Sequence, residues 1–210
     1  MPTQTDRMTS CRLLRVAMTL GFVVFAAGTV DVTDSAIAVE QEALVRPLER
    51  EMILAMARDY RQSSSPVWLE ILADAIYEES VRAAVDPLLV ASIVATESSF
   101  RDRAVSSNGA VGLMQLLPFV ADDVADRLDF EWRRPESLRS PSINVRLGIQ
   151  YYKELMERFE GDAAKALTAY NYGPTAVSRQ IRQGTYAGSA YAASVLSLYG
   201  RLGVARTGDA

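Results

Sequence analysis

Apolar residues recur along much of the chain at intervals of three and four, the spacing that places them on one face of an α-helix. The segment after Pro66 shows this most clearly, with Leu69, Leu72, Ala73 and Ile76 on one face. Proline at the start of a segment and glycine at its end mark helix boundaries. We therefore predict helices at Leu48–Tyr60, Pro66–Val85, Pro87–Ser98, Pro118–Leu128, Pro141–Gly161, Ala163–Asn171, Thr175–Gln183 and Ala187–Tyr199.

The pattern of a β-strand is limited to a short piece around Val105 and Val111, within a polar, glycine-bearing loop over residues 101–112. The segment Pro87–Ser98 is apolar nearly all round, which is typical of a helix buried at the centre of a domain. The chain of 210 residues is long enough for one domain with a leader or a tail. We predict a mainly α protein, a single helical domain built around a central buried helix.

Glu97 lies where the apolar stripe of that central helix would continue. Residues four apart share a helix face, so Glu97 follows Leu89 and Ile93 in one line. Burial raises the pKa of a carboxyl, and the unpaired carbonyls at a helix C-terminus also disfavour its charge. Both effects favour the protonated carboxyl that an acid catalyst needs at neutral pH. The alternative is that Glu97 marks the helix end and points into water or pairs with Arg101.

The chain after Glu97 carries polar groups suited to a cleft. The loop over residues 101–112 leads into a Gly-Leu-Met-Gln segment, in which the Gln115 amide can donate and accept hydrogen bonds. Met114 places an apolar side chain next to that amide. A carboxyl beside a glycine-bearing turn and an amide fits one wall of a polar cleft.

Residues that the chain lacks narrow its chemistry. It has no histidine, and its one cysteine, Cys11, lies in an N-terminal leader described below. These absences exclude Ser-His-Asp and Cys-His nucleophilic sites, zinc sites of His or Cys, and a disulfide framework. Carboxylates, tyrosine or lysine would have to serve as acid or base, and we expect no metal and no cofactor. The net charge of -4 gives no electrostatic reason to expect a nucleic-acid partner.

The N-terminus has the pattern of an export signal. Arg7, Arg12 and Arg15 precede an apolar run over residues 16–30, and small residues follow, so we predict signal cleavage after Ala38. The run is shorter than the roughly 20 residues of a permanent membrane helix, and an uncleaved anchor is the alternative. The predicted divisions are a signal peptide or anchor (1–38), an arm with the first helix (39–65), the main domain (66–200) and a disordered tail (201–210).

Four blocks of the sequence stand in an order and spacing that occur together in one family. They are Glu97-Ser98-Ser99-Phe100 with Ala104-Val105-Ser106, Gly109-Ala110, Gly112-Leu113-Met114-Gln115 and Pro118; Asn144-Val145-Arg146-Leu147-Gly148 with Tyr152; Ala169-Tyr170-Asn171-Tyr172-Gly173-Pro174; and Tyr191-Ala192 with Val195-Leu196 and Tyr199. Together they resemble the lytic transglycosylases of the soluble, Slt-type family, which have a goose-type lysozyme-like fold. The resemblance covers roughly residues 68 to 200 and implies a lysozyme-like helical domain with a substrate cleft.

The resemblance also implies an activity. The family cleaves the β-1,4 bond between N-acetylmuramic acid and N-acetylglucosamine in peptidoglycan and forms a 1,6-anhydromuramoyl end. Glu97 matches the catalytic acid, which protonates the leaving oxygen and then takes the proton of the C6 hydroxyl that attacks C1. Tyr170 is expected to hydrogen-bond Glu97 or the acetamido group, and Met114 to form an apolar wall for a sugar ring. The matching substrate-binding residues are Ser106, Met114, Gln115, Tyr170, Asn171 and Tyr191.

The implied partner is the glycan strand of peptidoglycan, which agrees with an exported, periplasmic protein, either free or anchored through residues 16–30. An internal hydroxyl as the attacking group also explains why the sequence offers no convincing second carboxylate. Retaining glycosidases need one at about 5 Å and inverting ones at roughly 6.5–9.5 Å. Asp102, the nearest in sequence, fits a surface loop charge better.

Two positions depart from the family's pattern. Arg101-Asp102 stands where many relatives have Asn-Pro, and Tyr172 stands where alanine commonly follows the Ala-Tyr-Asn motif. Either change is expected to narrow the cleft or to alter which glycan length fits. Three other functions stay open: a lysozyme-like hydrolase on the same fold, a non-catalytic glycan-binding module, and a helical partner-binding protein without a cleft.

Overall fold

The computed structural model describes residues 48–132 and 136–207, and helices dominate both ranges. In chain order these are α1 (48–60), α2 (Pro66–Ala83), α3 (Pro87–Ser98), α4 (Pro118–Arg127), a 3₁₀ helix η1 (Glu136–Arg139), α5 (Pro141–Arg158), α6 (Ala163–Tyr172), α7 (Pro174–Arg182) and α8 (Ala190–Thr207). The prediction of a mainly α fold is confirmed. The predicted leader, residues 1–38, lies outside the described residues. Within them, no helix combines the length and the apolar character needed to cross a bilayer.

Proline and aspartate set the helix starts, as the sequence predicts. Proline opens α2, α3, α4, α5 and α7, where its missing N–H leaves no hydrogen bond unmade. Asp86 caps α3 by accepting a hydrogen bond from the Leu88 N–H at 2.8 Å. Asp162 caps α6 by accepting one from the Lys165 N–H at 3.0 Å. Both aspartates also place negative charge at a helix N-terminus, where the helix dipole favours it.

The centre of the domain is α3, which packs against α2 and α8, while α5 packs against α2 and α6. Leu88, Val90, Ile93 and Val94 are among its fully buried side chains, and they lie on different faces of the helix. Removing apolar surface from water stabilises the fold by roughly 25 cal/mol per Å². This burial on several faces confirms the predicted central helix.

The loop between α3 and α4 contains two isolated antiparallel bridges, one joining Val105 to Val111 and one joining Val111 to Leu116. The first bridge lies where the sequence predicts a short strand. The loop opens with two left-handed residues, Ser99 at φ 50° and Phe100 at φ 58°. A side chain in that region costs on the order of 1 kcal/mol, which the complete burial of the Phe100 ring offsets.

The start of α8 differs from the prediction by three residues. The helix begins at Ala190 and not at Ala187. The reason is Ser189, whose hydroxyl oxygen accepts a hydrogen bond from the Ala192 N–H at 3.1 Å and so caps the first turn.

The end of α8 corrects the prediction of a disordered tail. Residues 201–207 are helical, while 208–210 lie outside the described residues. Arg206 forms ion pairs with Glu49 of α1 at 2.6 Å and with Asp86 at 3.0 Å. These contacts reach across the fold to residues far away in sequence, so the local pattern that was used to predict the tail does not contain them.

Candidate active site

Glu97 lies in the last turn of α3, and its side chain is only partly exposed. Burial raises its pKa from an ordinary 4.5 to about 7, and the Tyr191 hydroxyl, which favours the charged form, opposes the rise. Near neutral pH the carboxyl is therefore divided between its protonated and ionised forms. A group in that condition can both give and take a proton.

The alternative role for Glu97, an ion pair with Arg101, is not found in the described structure. The Arg101 Nε donates to the Ser98 carbonyl at 2.8 Å, so the guanidinium binds one of the free carbonyls at the end of α3. A cation beside Glu97 would also lower the pKa of the carboxyl, whereas the pKa is raised.

Tyr191, in the first turn of α8, is a polar neighbour of Glu97. Its hydroxyl is buried and makes no hydrogen bond of ordinary distance and angle within the described ranges. It still lies close enough to the Glu97 carboxyl to lower the pKa of that group. The phenol thus favours the charged form of the carboxyl without meeting the ordinary geometry of a hydrogen bond. Burial, and then the charge of Glu97, raises the pKa of Tyr191 well above its ordinary value, so the phenol keeps its proton.

The predicted hydrogen bond from Tyr170 to Glu97 is not made. The Tyr170 hydroxyl donates instead to the Met114 carbonyl at 2.8 Å, because the turn before α4 points that carbonyl toward it. Its ring packs 5.2 Å from the ring of Tyr151. Burial and then the charge of Glu97 raise the pKa of Tyr170 well above its ordinary value. The phenol is thus within electrostatic reach of Glu97 without bonding to it.

Met114 does not form the predicted apolar wall of a cleft, because its side chain is completely buried. The side chain fills the space beside Gly148, where an added Cβ would lie 2.4 Å from the Met114 Sδ. The backbone of Met114 serves the site instead. Its carbonyl accepts the Tyr170 hydroxyl, and its N–H donates to the Asn144 Oδ1 at 2.8 Å.

Asn144 of α5 holds the turn that precedes α4, a role that sequence reasoning missed. Besides accepting from Met114, its Nδ2 donates to the carbonyls of Val111 at 2.9 Å and Leu138 at 3.0 Å. Gly112 makes the close approach possible, since a Cβ there would lie 2.3 Å from that nitrogen. The available signal was an amide within the apolar face of a helix, because a buried amide needs several partners.

Ser106 and Gln115 stabilise the loop between α3 and α4. The Ser106 Oγ accepts a hydrogen bond from the Ala110 N–H at 3.0 Å. The Gln115 Nε2 donates to the carbonyls of Gly112 at 2.9 Å and Ala104 at 3.2 Å. Both side chains are partly exposed, so each retains some surface for a ligand.

A groove of about 420 Å³, here named the α4–α6 groove, lies between α4 and the junction of α6 with α7. Its lining includes Gln115, Phe119, Tyr151, Tyr170, Asn171 and Tyr172. Of the predicted substrate-binding residues, this groove brings together Gln115, Tyr170 and Asn171. Ser106, Met114 and Tyr191 do not line it. A larger hollow of about 660 Å³ beside Trp132 includes none of the predicted site residues.

Fold and site together define a helical domain with a partly buried carboxyl of raised pKa, Glu97, whose charge reaches Tyr170 in the lining of a polar groove. The chain belongs to the transglycosylase SLT domain family, whose model matches residues 74–192, more than half of the sequence. The family predicted from the four sequence blocks is therefore confirmed.

Individual relatives match over part of their length. The chain is 32% identical over 121 residues to a transglycosylase of Enterobacteria phage PRD1, a match that covers 58% of this chain and 40% of the phage protein. It is 31% identical over 84 residues to the soluble lytic murein transglycosylase of Salmonella typhimurium, covering 40% of this chain and 13% of that one.

Solved structures share the fold. The 70 kDa soluble lytic transglycosylase of Escherichia coli superposes with a TM-score of 0.57 at 18% identity, over 72% of this chain and 29% of that one. An inactive mutant of the lytic transglycosylase Slt of Pseudomonas aeruginosa gives 0.56 at 23% identity, over 71% and 30%. The chain thus spans less than half the length of each of these relatives. The predicted lysozyme-like helical fold is confirmed.

Proposed function

We propose that this protein is a peptidoglycan lytic transglycosylase in which Glu97 acts first as acid and then as base. The observation that carries the proposal is the partly buried Glu97 carboxyl, whose pKa is about 7. The family and the names of the relatives support the reaction class. One of the solved structures is of a lytic transglycosylase inactivated by a glutamate-to-glutamine substitution, in keeping with an essential glutamate.

In the first step, protonated Glu97 donates its proton to the oxygen that links N-acetylmuramic acid to N-acetylglucosamine. The bond from that oxygen to C1 of the muramic acid breaks, and N-acetylglucosamine leaves with its hydroxyl restored. Positive charge that builds up at C1 is stabilised by the acetamido oxygen of the same sugar. The raised pKa of Glu97 supports this step because it keeps a useful fraction of the acid protonated at neutral pH.

In the second step, the Glu97 carboxylate accepts the proton of the C6 hydroxyl while that oxygen forms a bond to C1. The product is a 1,6-anhydromuramoyl end, the proton returns to Glu97, and no water is consumed. The Tyr191 phenol supports the carboxylate between the two steps, since a hydrogen-bond donor favours the charged form.

The surroundings of Glu97 favour this one-carboxylate scheme. Burial and the Tyr191 hydroxyl are the causes of its pKa, and neither is a second carboxylate. In a retaining glycosidase the nucleophile lies about 5 Å from the acid, and its charge would raise the pKa of that acid further. An internal sugar hydroxyl therefore suits the site better than an attacking carboxylate of the protein.

The substrate is proposed to lie along the α4–α6 groove. Gln115 and Asn171 offer amides to the sugar, and Tyr170 lines the groove next to the turn that Asn144 holds. Ser106 does not line this groove, so its proposed contribution is to stabilise the loop between α3 and α4 that leads to Gln115. Because peptidoglycan lies outside the cytoplasmic membrane, we further propose that the predicted leader, residues 1–38, exports the protein.

Purified peptidoglycan sacculi test the proposal. The full chain should release muropeptides that end in 1,6-anhydromuramic acid, each lighter by one water than the product of hydrolysis, as mass spectrometry detects. Glu97→Gln should lose cleavage by a factor of about 10² or more and still bind sacculi. The matched control is Glu157→Gln, a change of an exposed glutamate on α5 that should leave cleavage intact.

Each alternative function has its own outcome in this experiment. Reducing ends without anhydro products would show a lysozyme-like hydrolase. Binding to sacculi without cleavage by either the wild type or Glu97→Gln would show a glycan-binding module. Neither binding nor cleavage would show a helical partner-binding protein without a cleft. Each of these three results would overturn the proposal.

A further inference from the structure

Two exposed aromatic rings line the α4–α6 groove from different elements. Phe119, in the first turn of α4, is 63% exposed, and Tyr172, the last residue of α6, is 62% exposed. Among the aromatic residues of the described ranges, Tyr60 is the other strongly exposed one, and its ring packs 5.6 Å from the ring of Phe100. Neither Phe119 nor Tyr172 packs on another aromatic ring within those ranges.

Such exposure forgoes the stabilisation that burying a large apolar side chain brings, roughly 1.5–3 kcal/mol. A residue near a helix end on the protein surface has no structural need to be aromatic. Two such rings at one groove point to a ligand with apolar faces that both can contact.

The groove also carries the polar groups that such a ligand would need. Asp123 and Arg127 line it from α4, and Asn171 lines it from α6. Arg127 is held in place by two hydrogen bonds to the Glu154 carboxylate, at 2.7 Å and 3.1 Å. Donors and acceptors thus lie on the same walls as the rings. A sugar ring combines an apolar C–H face with hydroxyls around its edge, and this lining matches that combination.

The groove and the proposed reaction site have Tyr170 in common, because Tyr170 lines the groove and the charge of Glu97 raises its pKa. The Tyr170 hydroxyl bonds the Met114 carbonyl beside Gln115, which also lines the groove. The ring of Tyr151 packs against that of Tyr170 and continues the aromatic lining. A glycan strand that is cleaved at Glu97 and extends past Tyr170 would reach the two exposed rings.

We propose that Phe119 and Tyr172 form an aromatic clamp that holds two neighbouring sugars of the glycan strand at a distance from the cleaved bond. The inference rests on the proposed function and deepens it, because it assigns residues that select for strand length. Successive sugars of a β-1,4 strand turn opposite faces outward, so a ring on each wall can contact two neighbouring sugars. Long strands then bind better than short ones.

Binding of N-acetylglucosamine hexasaccharide, a β-1,4 oligomer that shares the acetamido sugars of peptidoglycan, tests the clamp. Affinities are measured by calorimetry on the full chain carrying Glu97→Gln, which prevents cleavage. Phe119→Ala and Tyr172→Ala should each weaken binding about three- to tenfold, the size expected for one aromatic contact. The same changes should weaken binding of the trisaccharide less, because a short oligomer does not reach from the proposed reaction site at Glu97 to the clamp.

Two matched variants separate ring contact from other effects. Tyr172→Phe keeps the ring and removes only the hydroxyl, so it should bind the hexasaccharide within about twofold of the parent. Val67→Ala trims a side chain on α2 that is 70% exposed and lies away from the groove, and it should leave affinity unchanged. Circular dichroism of each variant verifies that the helices are intact.

Cleavage of sacculi by the wild type, run in parallel, distinguishes the two proposals. If the wild type forms anhydro ends and the alanine variants bind the hexasaccharide as tightly as the parent, the clamp is refuted and the enzymatic function stands. If the alanine variants lose affinity and the wild type does not cleave, the clamp is supported and the enzymatic function fails. If the parent binds no oligosaccharide, the clamp is refuted as well.

Discussion

Glu97 occupies a position at which an uncharged side chain would give the folded protein a higher free energy of unfolding above pH 7. The side chain continues the apolar face of α3, and burial raises its pKa to about 7. A carboxyl whose pKa is higher in the folded chain than in the unfolded chain binds more protons when folded. The stability that this extra proton binding gives the folded chain is fully present below pH 4.5, the pKa of the carboxyl in the unfolded chain. It is lost as the pH rises through about 7, the pKa in the folded chain.

The substitution Glu97→Gln should remove this pH dependence. The amide has nearly the same shape and no charge, so the variant should be similar to the wild type near pH 4 and more stable above pH 7. We expect a difference of about 2 kcal/mol, less than the full shift implies because the carboxyl is partly exposed. Urea unfolding between pH 4 and pH 8 measures it. Glu157→Gln is the control, and equal pH curves for wild type and Glu97→Gln would contradict the assigned environment.

Single residues also show which features of the site could be predicted from the sequence. Glu97 stood out because a charged residue interrupts an apolar pattern, and periodicity makes such an interruption visible. The contacts of the two phenols did not stand out in this way. The Tyr170 hydroxyl bonds the Met114 carbonyl, and the Tyr191 hydroxyl lies close to the Glu97 carboxyl. The partners of the two tyrosine hydroxyls depend on how α6 and α8 pack on α3. No local sequence pattern encodes that packing.

At the scale of elements, the turn before α4 depends on a helix that lies far from it in sequence. Asn144 of α5 binds the turn at Val111 and Met114, and Gly112 leaves room for its amide. The same turn contains the Met114 carbonyl, which accepts the hydrogen bond from the Tyr170 hydroxyl. The position of one groove wall is thus fixed by a single amide.

The substitution Gly112→Ala should disrupt this arrangement. A Cβ there would lie 2.3 Å from the Asn144 Nδ2 and 2.5 Å from the Leu138 carbonyl oxygen, and φ is +85°. We expect a loss of about 3–5 kcal/mol in unfolding free energy, the sum of backbone strain and overpacking.

The control for Gly112→Ala is Gly109→Ala, in the same loop. Gly109 has a similar φ of +80°, but an added Cβ would meet nothing within 4 Å. Its substitution carries the strain alone, about 1–2 kcal/mol. Chemical denaturation of both variants compares them, and equal losses would show that the close approach to Asn144 is not what requires glycine.

The helices themselves were largely predictable. Their starts carry proline or an acidic cap, and both signals act within one turn, so the sequence displays them. The ends of the helices were less predictable from the sequence. For example, α2 stops at Ala83 because Ala84 adopts a left-handed conformation at φ 54°, and nothing in the identity of an alanine indicates that.

At the scale of the whole molecule, Arg206 near the end of α8 joins three parts of the fold. It binds Glu49 of α1, which is 7% exposed, and Asp86, the cap of the helix that carries Glu97. The Tyr199 hydroxyl donates to the same Asp86 carboxylate at 2.7 Å. Removing the guanidinium would leave two carboxylates close together without their cation.

We therefore expect Arg206→Met to lower the unfolding free energy by about 2–3 kcal/mol, somewhat less than for a fully buried pair. Arg201→Met is the matched control on the same helix, since Arg201 is exposed and bonds only Ser197 among the described residues. Its effect should stay within about 0.5 kcal/mol. Thermal unfolding of the two variants compares these losses. Similar melting temperatures would rule out a structural role for the Arg206 contacts.

The reach of α8 affects how shortened versions of the protein should be made. The segment recognised as the family domain ends at residue 192, within the first turn of the helix that presents Tyr191 to the acid. A fragment limited to residues 74–192 would lose most of the helix that carries Tyr191, together with the whole of α1. A fragment that keeps Tyr191 on an intact helix beside Glu97 therefore has to extend beyond the segment that the family model matches.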